Sequence, residues 1–403
     1  MQLAFILGRI PTLAQQEIKA VVATLPLSLV GSMVQPDALL LKSETDNNSL
    51  PEPEFLRKIY LLQQRLGGTL KIVMIEREVK LNGVSAGLKA LAEKSTKGGR
   101  LDFGISIYGN VPAGRNLGLE LKKAIKGTGA SARYVQPKDG QAMSTAQVWH
   151  NHLSFFGERE QPQDKGREFV VIRSGNDALI GYTLTVQNIE AYAKRDFEIP
   201  YPDATSGMLP PKLAQTMVNL AVQDGKTGVV YDPFCGNGRV VMEACLMGLE
   251  AFGSDISEEK IKASAENLAW AGQSKDLVWV QDATQSGALA KIKARVKAKD
   301  LYIVAEPYLG RPLRAPLTES EAEEWLAELG ALYTDFFSVW SKSELKPKRM
   351  IVVFPKAKKQ GGSTVSLYQT LIDRLTELGY TSSVLACYER PDSFVARDIV
   401  QVS

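Results

Sequence analysis

The stretch Gly228-Val229-Val230-Tyr231-Asp232-Pro233-Phe234-Cys235-Gly236-Asn237-Gly238, leaving through Arg239-Val240-Val241-Met242-Glu243-Ala244-Cys245, decides the fold. An apolar run, a glycine turn and a second apolar-periodic run read as strand, loop and helix. Glycine has no Cβ, so a ligand can lie against bare backbone at such a turn, and the following helix offers free N–H groups. The loop has no Gly-Lys-Ser/Thr ending and no third glycine at the dinucleotide spacing, which argues against the common phosphate-binding loops. An acid precedes it instead: Asp232, at a strand C-terminus, would repel a pyrophosphate and can hold an ammonium group.

The next segments extend this pattern. Residues 251–255 read as a second strand ending in Asp255, about twenty residues past the turn, where an acid can accept both hydroxyls of a ribose. Residues 277–283 form a third apolar segment whose Asp282 can accept from an adenine amino group. Between them, Ile261, Ala265 and Leu268 share one face of a helical pattern over 258–271, which supplies the crossover. Singly, each acid reads equally well as a turn former or helix cap. Together, three acids ending three successive strands suit S-adenosylmethionine, a nucleoside with an ammonium tail. The cofactor candidates are Asp232, Phe234, Gly236, Asn237, Gly238, Asp255, Ile256, Asp282 and Ala283.

The fourth strand, 300–304, runs into Ala305-Glu306-Pro307-Tyr308-Leu309-Gly310. Here the chain resembles the amino-group methyltransferases, which carry Asp/Asn-Pro-Pro-Tyr at this place. An exocyclic base amine is a poor nucleophile, so acceptors must hold its hydrogens while an aromatic ring stacks on the base. The resemblance implies that Glu306 and Pro307 accept from the amine and that Tyr308 stacks on the flipped base. Two departures stand out: Glu replaces Asp or Asn, and one proline is present. With Pro307 aligned to the second proline, Ala305 would fall at the acid position; Glu306 is taken as the equivalent.

Met208-Leu209-Pro210-Pro211-Lys212-Leu213-Ala214-Gln215-Thr216-Met217-Val218-Asn219-Leu220-Ala221, preceded by Arg195-Asp196-Phe197, resembles the segment opening the methylase domain of THUMP-containing tRNA guanine-N2 methyltransferases. Phe5-Ile6-Leu7-Gly8-Arg9-Ile10-Pro11 with Leu66-Gly67-Gly68-Thr69-Leu70-Lys71-Ile72 is similar to that group's opening domain, and Tyr388-Glu389-Arg390-Pro391 with Val395-Ala396-Arg397-Asp398-Ile399 to its closing strands. The resemblance implies a ferredoxin-like domain (1–83), a THUMP RNA-binding domain (84–187), a linker (188–209) and a Rossmann-like α/β class I methyltransferase domain with a doubly wound, mostly parallel sheet (210–403). It implies methyl transfer from S-adenosylmethionine to N2 of a tRNA guanosine, with position 10 as the candidate. A tRNA-binding protein without turnover and a DNA amino methyltransferase are the alternatives. A small activating subunit is a further candidate partner.

Composition is consistent with this division. The 403 residues suit two or three domains. Lys and Arg total 48 against 45 Asp and Glu, so any nucleic-acid contact must be a local patch. The best patch is Arg115, Lys122, Lys123, Lys126 and Arg133, whose phosphate-binding role competes with that of a solvated helix face. His150 and His152 sit among apolar neighbours and are read as structural, with no metal site expected. Cys235, Cys245 and Cys387 have no metal-ligand or disulfide pattern, and no apolar run reaches membrane-spanning length, so a cytoplasmic location is expected.

Overall fold

The computed structural model describes residues 2–22, 29–43, 53–96, 98–112, 114, 116–156, 162–202, 208–223, 228–296, 299–390 and 393–403. The chain divides into two compact units, Met1–Tyr192 and Ala193–Ser403.

Among the described residues, the first unit is built on eight strands: β1 (Gln2–Leu7), β2 (Leu29–Gln35), β3 (Ala38–Ser43), β4 (Thr69–Lys80), β5 (Arg100–Tyr108), β6 (Ser131–Val135), β7 (Gly166–Ser174) and β8 (Asp177–Val186). They form one sheet in the order β2-β3-β1-β4-β8-β7-β5-β6. Up to Lys80 the element order is βαββαβ, with helices Pro11–Val22 and Pro53–Arg65. The boundary expected near residue 83 falls inside this unit, because β4 pairs along its length with β8 and carries the sheet across it. Alternation along β4 explains the pairing: Ile72 and Met74 pack on one face of the sheet, Val73 and Ile75 on the other. The segment expected as a linker, 188–209, includes the helix Ile189–Phe197.

Within the sheet, Lys71 and Glu168 form a fully buried ion pair, Nζ to Oε1 2.5 Å. Ser106 Oγ also donates to Oε1 and Thr183 Oγ1 to Oε2, each at 2.5 Å, while Lys71 Nζ donates to the Met143 carbonyl at 2.7 Å. Buried charges persist when their hydrogen-bonding capacity is met in this way.

The second unit carries β9 (Val229–Asp232), β10 (Glu250–Asp255), β11 (Val278–Val280), β12 (Leu301–Ala305), β13 (Arg349–Lys358), β14 (Thr364–Ser366), β15 (Ser382–Tyr388) and β16 (Val395–Val402). The sheet order is β11-β10-β9-β12-β13-β16-β15, with β14 on β13. The pairs from β11 to β13 are parallel, whereas β16 runs antiparallel to both β13 and β15. This is the expected doubly wound, mostly parallel sheet, closed by an antiparallel pair. Its strand order reverses beside β9, and in open α/β sheets the crevice at such a switch point is where ligands bind. The third strand is shorter than its apolar run: β11 is an edge strand ending at Val280, and Asp282 lies two residues beyond it.

The core explains why these strands are continuous apolar runs rather than alternating ones: covered on both faces, they bury every residue of β9 and β12. The helix Glu319–Ser341 starts with a capping box, Thr318 and Glu321. Its Trp325, Leu329, Tyr333, Phe336, Phe337 and Trp340 are buried in this core. Burial of one such side chain contributes about 1.5–3 kcal/mol, so this face anchors the helix firmly beneath the crevice strands.

Candidate active site

Two strand ends meet at the glycine turn. Asp232 closes β9 and is buried; its Oδ1 accepts from the Phe234 N–H at 3.0 Å, which bends the chain at once. Burial pushes the Asp232 carboxyl well above the ordinary carboxylate range, outweighing the Phe234 bond, and the charges of Asp255 and Glu306 push it further. A desolvated carboxyl of this kind gains by receiving a cation.

Gly236 has φ +49° and Gly238 φ +85°, both in the left-handed region. A Cβ on Gly236 would meet nothing within 4 Å, so the turn leaves open space above its backbone. A Cβ on Gly238 would lie 2.3 Å from Ser264 Oγ, so this glycine serves helix contact rather than ligand access.

Asp255, at the end of β10, is level with Val280 on β11. Its Oδ2 accepts the Gly236 N–H and its Oδ1 the Ser257 N–H, each at 2.9 Å. Each carboxylate oxygen retains acceptor capacity beyond one bond. The adjoining Ile256 is 69% exposed, an apolar surface beside an acid. Asp282 Oδ1 accepts from Thr284 N and Oγ1 at 2.9 and 2.7 Å. Partial burial raises the Asp282 carboxyl, but the Thr284 bonds outweigh it and hold the group below its usual value. Phe234 packs edge-on against Phe336, centroids 5.2 Å apart, and Ala283 is buried in the same core. The turn, an acid with open backbone beside it, and an exposed apolar side chain together fit a nucleoside bearing a charged tail.

Asn237 turns elsewhere. Its Nδ2 donates to the Tyr201 carbonyl at 2.9 Å; Asn267 Nδ2 donates to the same carbonyl at 3.1 Å, and Asn267 Oδ1 accepts the Tyr201 N–H at 2.9 Å. The two amides therefore clamp the backbone of Tyr201 beside the turn. Asn237, expected as a cofactor ligand, thus holds Tyr201 together with Asn267; an asparagine buried on a helix face beside Leu268 is the signal that marks Asn267.

β12 delivers Glu306, Pro307 and Tyr308 next to β9. Pro307 is buried and Tyr308 is 49% exposed, so the ring is presented to solvent. Glu306 Oε1 accepts from Arg397 Nε on β16 at 2.5 Å. Burial raises the Glu306 carboxyl above its usual range, and Arg397 followed by Arg390 pulls it back. In sequence, Arg397 belongs to a closing strand; its signal is the adjacent charged pair Arg397-Asp398, the only charges in that strand.

Behind the turn, Arg195 Nε bonds buried Glu243 at 2.8 Å and Arg239 Nη1 donates to the Arg195 carbonyl at 2.5 Å. This fixes the segment entering the unit against the helix Arg239–Leu246.

In the first unit, Lys122, Lys123 and Lys126 lie on the helix Leu117–Gly127 and Arg133 on the edge strand β6. Lys123, Lys126 and Arg133 are exposed and Lys122 is half-buried, while Arg115 lies outside the described residues. Arg133 is already paired with Asp102, Nε to Oδ2 2.9 Å. His150 and His152 are exposed, unlike their buried neighbours Val148 and Leu153.

Residues 201–305 match the family model described as UPF0020: RMKL-like, methyltransferase domain. That segment is similar to a methyltransferase domain. It spans the glycine turn and all three acids and ends at Ala305, one residue before Glu306. The tRNA (guanine(10)-N2)-dimethyltransferase of Pyrococcus abyssi is 36% identical over 114 residues, covering 28% of this chain and 32% of that protein. The tRNA (guanine(10)-N2)-dimethyltransferase of Methanothermobacter thermautotrophicus is 42% identical over 76 residues, 19% of this chain and 20% of that protein. The chain thus matches a third or less of these curated relatives' lengths. In fold, the crystal structure of TrmN from Thermus thermophilus aligns over 100% of this chain and 99% of its own, with a TM-score of 0.53 at 15% identity.

Proposed function

We propose that the chain is an S-adenosylmethionine-dependent tRNA methyltransferase acting on the exocyclic N2 of a guanosine, with position 10 as the target. The observation that carries this reading is the placement of Glu306-Pro307-Tyr308 at the strand end beside the Asp232 glycine turn, across the switch point of a methyltransferase-like sheet. The names of the matched relatives support the tRNA guanine reading.

S-adenosylmethionine, when bound, supplies an electrophilic methyl group. Asp232 holds its ammonium, Asp255 its ribose hydroxyls with Ile256 against the adenine, and Asp282 with Ala283 borders the base. Glu306 and the Pro307 carbonyl accept the N–H groups of the target amine, which orients its lone pair, while the exposed Tyr308 ring stacks on the extruded base. Shielding of the site by the apolar core strengthens those hydrogen bonds relative to water.

The first unit is read as the RNA-binding part. Its βαββαβ opening supports a ferredoxin-like start, and the exposed Lys123, Lys126 and Arg133 with Lys122 support a THUMP-like tRNA contact in the remainder. A cytoplasmic setting accompanies a tRNA substrate, and no described helix is long and apolar enough to cross a membrane.

A second reading, a tRNA-binding protein without turnover, is favoured by one observation: the acid of the catalytic motif is already ion-paired to Arg397. The two readings separate on one experiment. Purified chain incubated with labelled S-adenosylmethionine and unmodified tRNA yields N2-methylguanosine if the first holds, and binding without transfer if the second does.

A further inference from the structure

The acid that resembles the family's Asp or Asn is one methylene longer here, and the structure shows where that length goes. β12 and β16 are separated by β13, so their backbones are two strand spacings, roughly 10 Å, apart. Glu306 and Arg397 reach toward each other across that gap and meet at 2.5 Å, with side chains 17% and 6% exposed. A carboxylate one C–C bond shorter would fall short of the guanidinium. Arg397 is itself set by its strand: it lies opposite Pro355 on β13 and Tyr388 on β15, and its guanidinium carbon is 5.9 Å from the Tyr388 ring centroid.

We infer that Arg397 is the positioning residue for Glu306, so that the Glu306–Arg397 pair, and not the carboxylate alone, forms the acceptor end of the target pocket. The inference rests on the methyl-transfer reading and deepens it. A side chain with three rotatable bonds loses its advantage as an acceptor unless one orientation is fixed, and a misplacement of about 1 Å can cost on the order of 100-fold in rate. Arg397 supplies that fixation through a charge-assisted bond. The titratable groups that bear on Glu306 are Arg397 from β16, Arg390 from the loop after β15, Asp232 from β9 and the neutral Tyr333 hydroxyl from the helix Glu319–Ser341. The two arginines favour the carboxylate form and Asp232 opposes it, so removing Arg397 moves the acid limb of activity to higher pH.

The test uses the full chain with tRNA and labelled S-adenosylmethionine, comparing Arg397→Gln, Arg397→Lys, Glu306→Asp, Glu306→Gln and the double variant Arg397→Gln/Glu306→Gln. Circular dichroism and calorimetric cofactor binding accompany every variant. Arg397→Gln is expected to lower kcat about 100-fold, leave KM for tRNA and cofactor affinity within about 3-fold, and shift the acid limb of the pH profile upward. Glu306→Asp matches that loss, Arg397→Lys recovers part of it, and the double variant is no worse than the poorer single variant. Wild-type kcat and pH profile in Arg397→Gln, or fully additive losses in the double variant, would overturn the inference while leaving methyl transfer intact. A wild-type chain that binds cofactor and methylates no tRNA overturns the methyl-transfer reading and the inference with it. Should Arg397→Gln fail to fold, the comparison of Glu306→Asp with Arg397→Lys decides the matter in the same way.

Discussion

Asp255 Oδ2 accepts the Gly236 N–H at 2.9 Å, so the acid ending the second parallel strand holds the glycine turn that follows the first. One carboxylate therefore shapes the turn and, in the proposed function, also accepts the ribose hydroxyls. Replacing Asp255 with Ala removes both contacts. Hydrogen bonds to charged groups are worth about 1.5–3 kcal/mol, so cofactor affinity should fall by roughly 10- to 150-fold in calorimetry. Asp255→Asn, which keeps an acceptor oxygen, should lose less; equal affinity in wild type and Asp255→Ala would remove Asp255 from the binding site.

The two glycines of the turn should fail in different ways. Gly238→Ala places a Cβ 2.3 Å from Ser264 Oγ at φ +85°, so the cost appears in chemical denaturation as a loss of about 1–3 kcal/mol. Gly236→Ala meets nothing within 4 Å, so it should cost about 1–2 kcal/mol for its backbone conformation alone while blocking the open face to ligand. A Gly236→Ala chain with unaltered cofactor binding would show that the open face is not the binding face.

These glycines also show how far the sequence could be read. The strand-turn-helix at Asp232 and the strands ending at Asp255 and Ala305 were legible because parallel strands are apolar runs with punctuation at their C-terminal ends. Three features were not. The Asn237–Asn267 clamp on Tyr201 and the Glu306–Arg397 pair join residues 36 and 66 apart in one case and 91 apart in the other, and no local pattern encodes such contacts. The boundary expected near residue 83 followed a change in local composition, whereas the pairing of β4 with β8 is non-local and carries one sheet through it.

Asp232 gives a pH signature. Its carboxyl is held well above the ordinary range in the fold, chiefly by burial, so the folded chain keeps a proton that the unfolded chain loses. Stability must then fall as pH rises from the ordinary aspartate value, near about 4, through the folded-state value. Asp232→Asn, which preserves the acceptor for Phe234 N–H, should lack that decline and be more stable at neutral pH than wild type, while binding cofactor more weakly. Urea unfolding of both chains from pH 4 to 8 checks this; parallel stability curves would contradict it.

In the first unit, the Lys71–Glu168 pair should behave as a buried charge network. Lys71→Met leaves Glu168 with two hydroxyl donors and no countercharge, and breaking such a pair costs about 3–5 kcal/mol. The double variant Lys71→Met/Glu168→Leu should recover much of this in denaturant titration, because no charge remains to be desolvated. Additive losses would mean that the pair is not coupled.

The most direct measurement of the central claim is nucleoside mass spectrometry of unmodified tRNA after incubation with the purified chain and labelled S-adenosylmethionine, with Glu306→Ala alongside. The wild type is expected to yield N2-methylguanosine mapped to one position, and Glu306→Ala at least about 100-fold less. Equal methylation by both chains, or label on a base other than guanine, would contradict it.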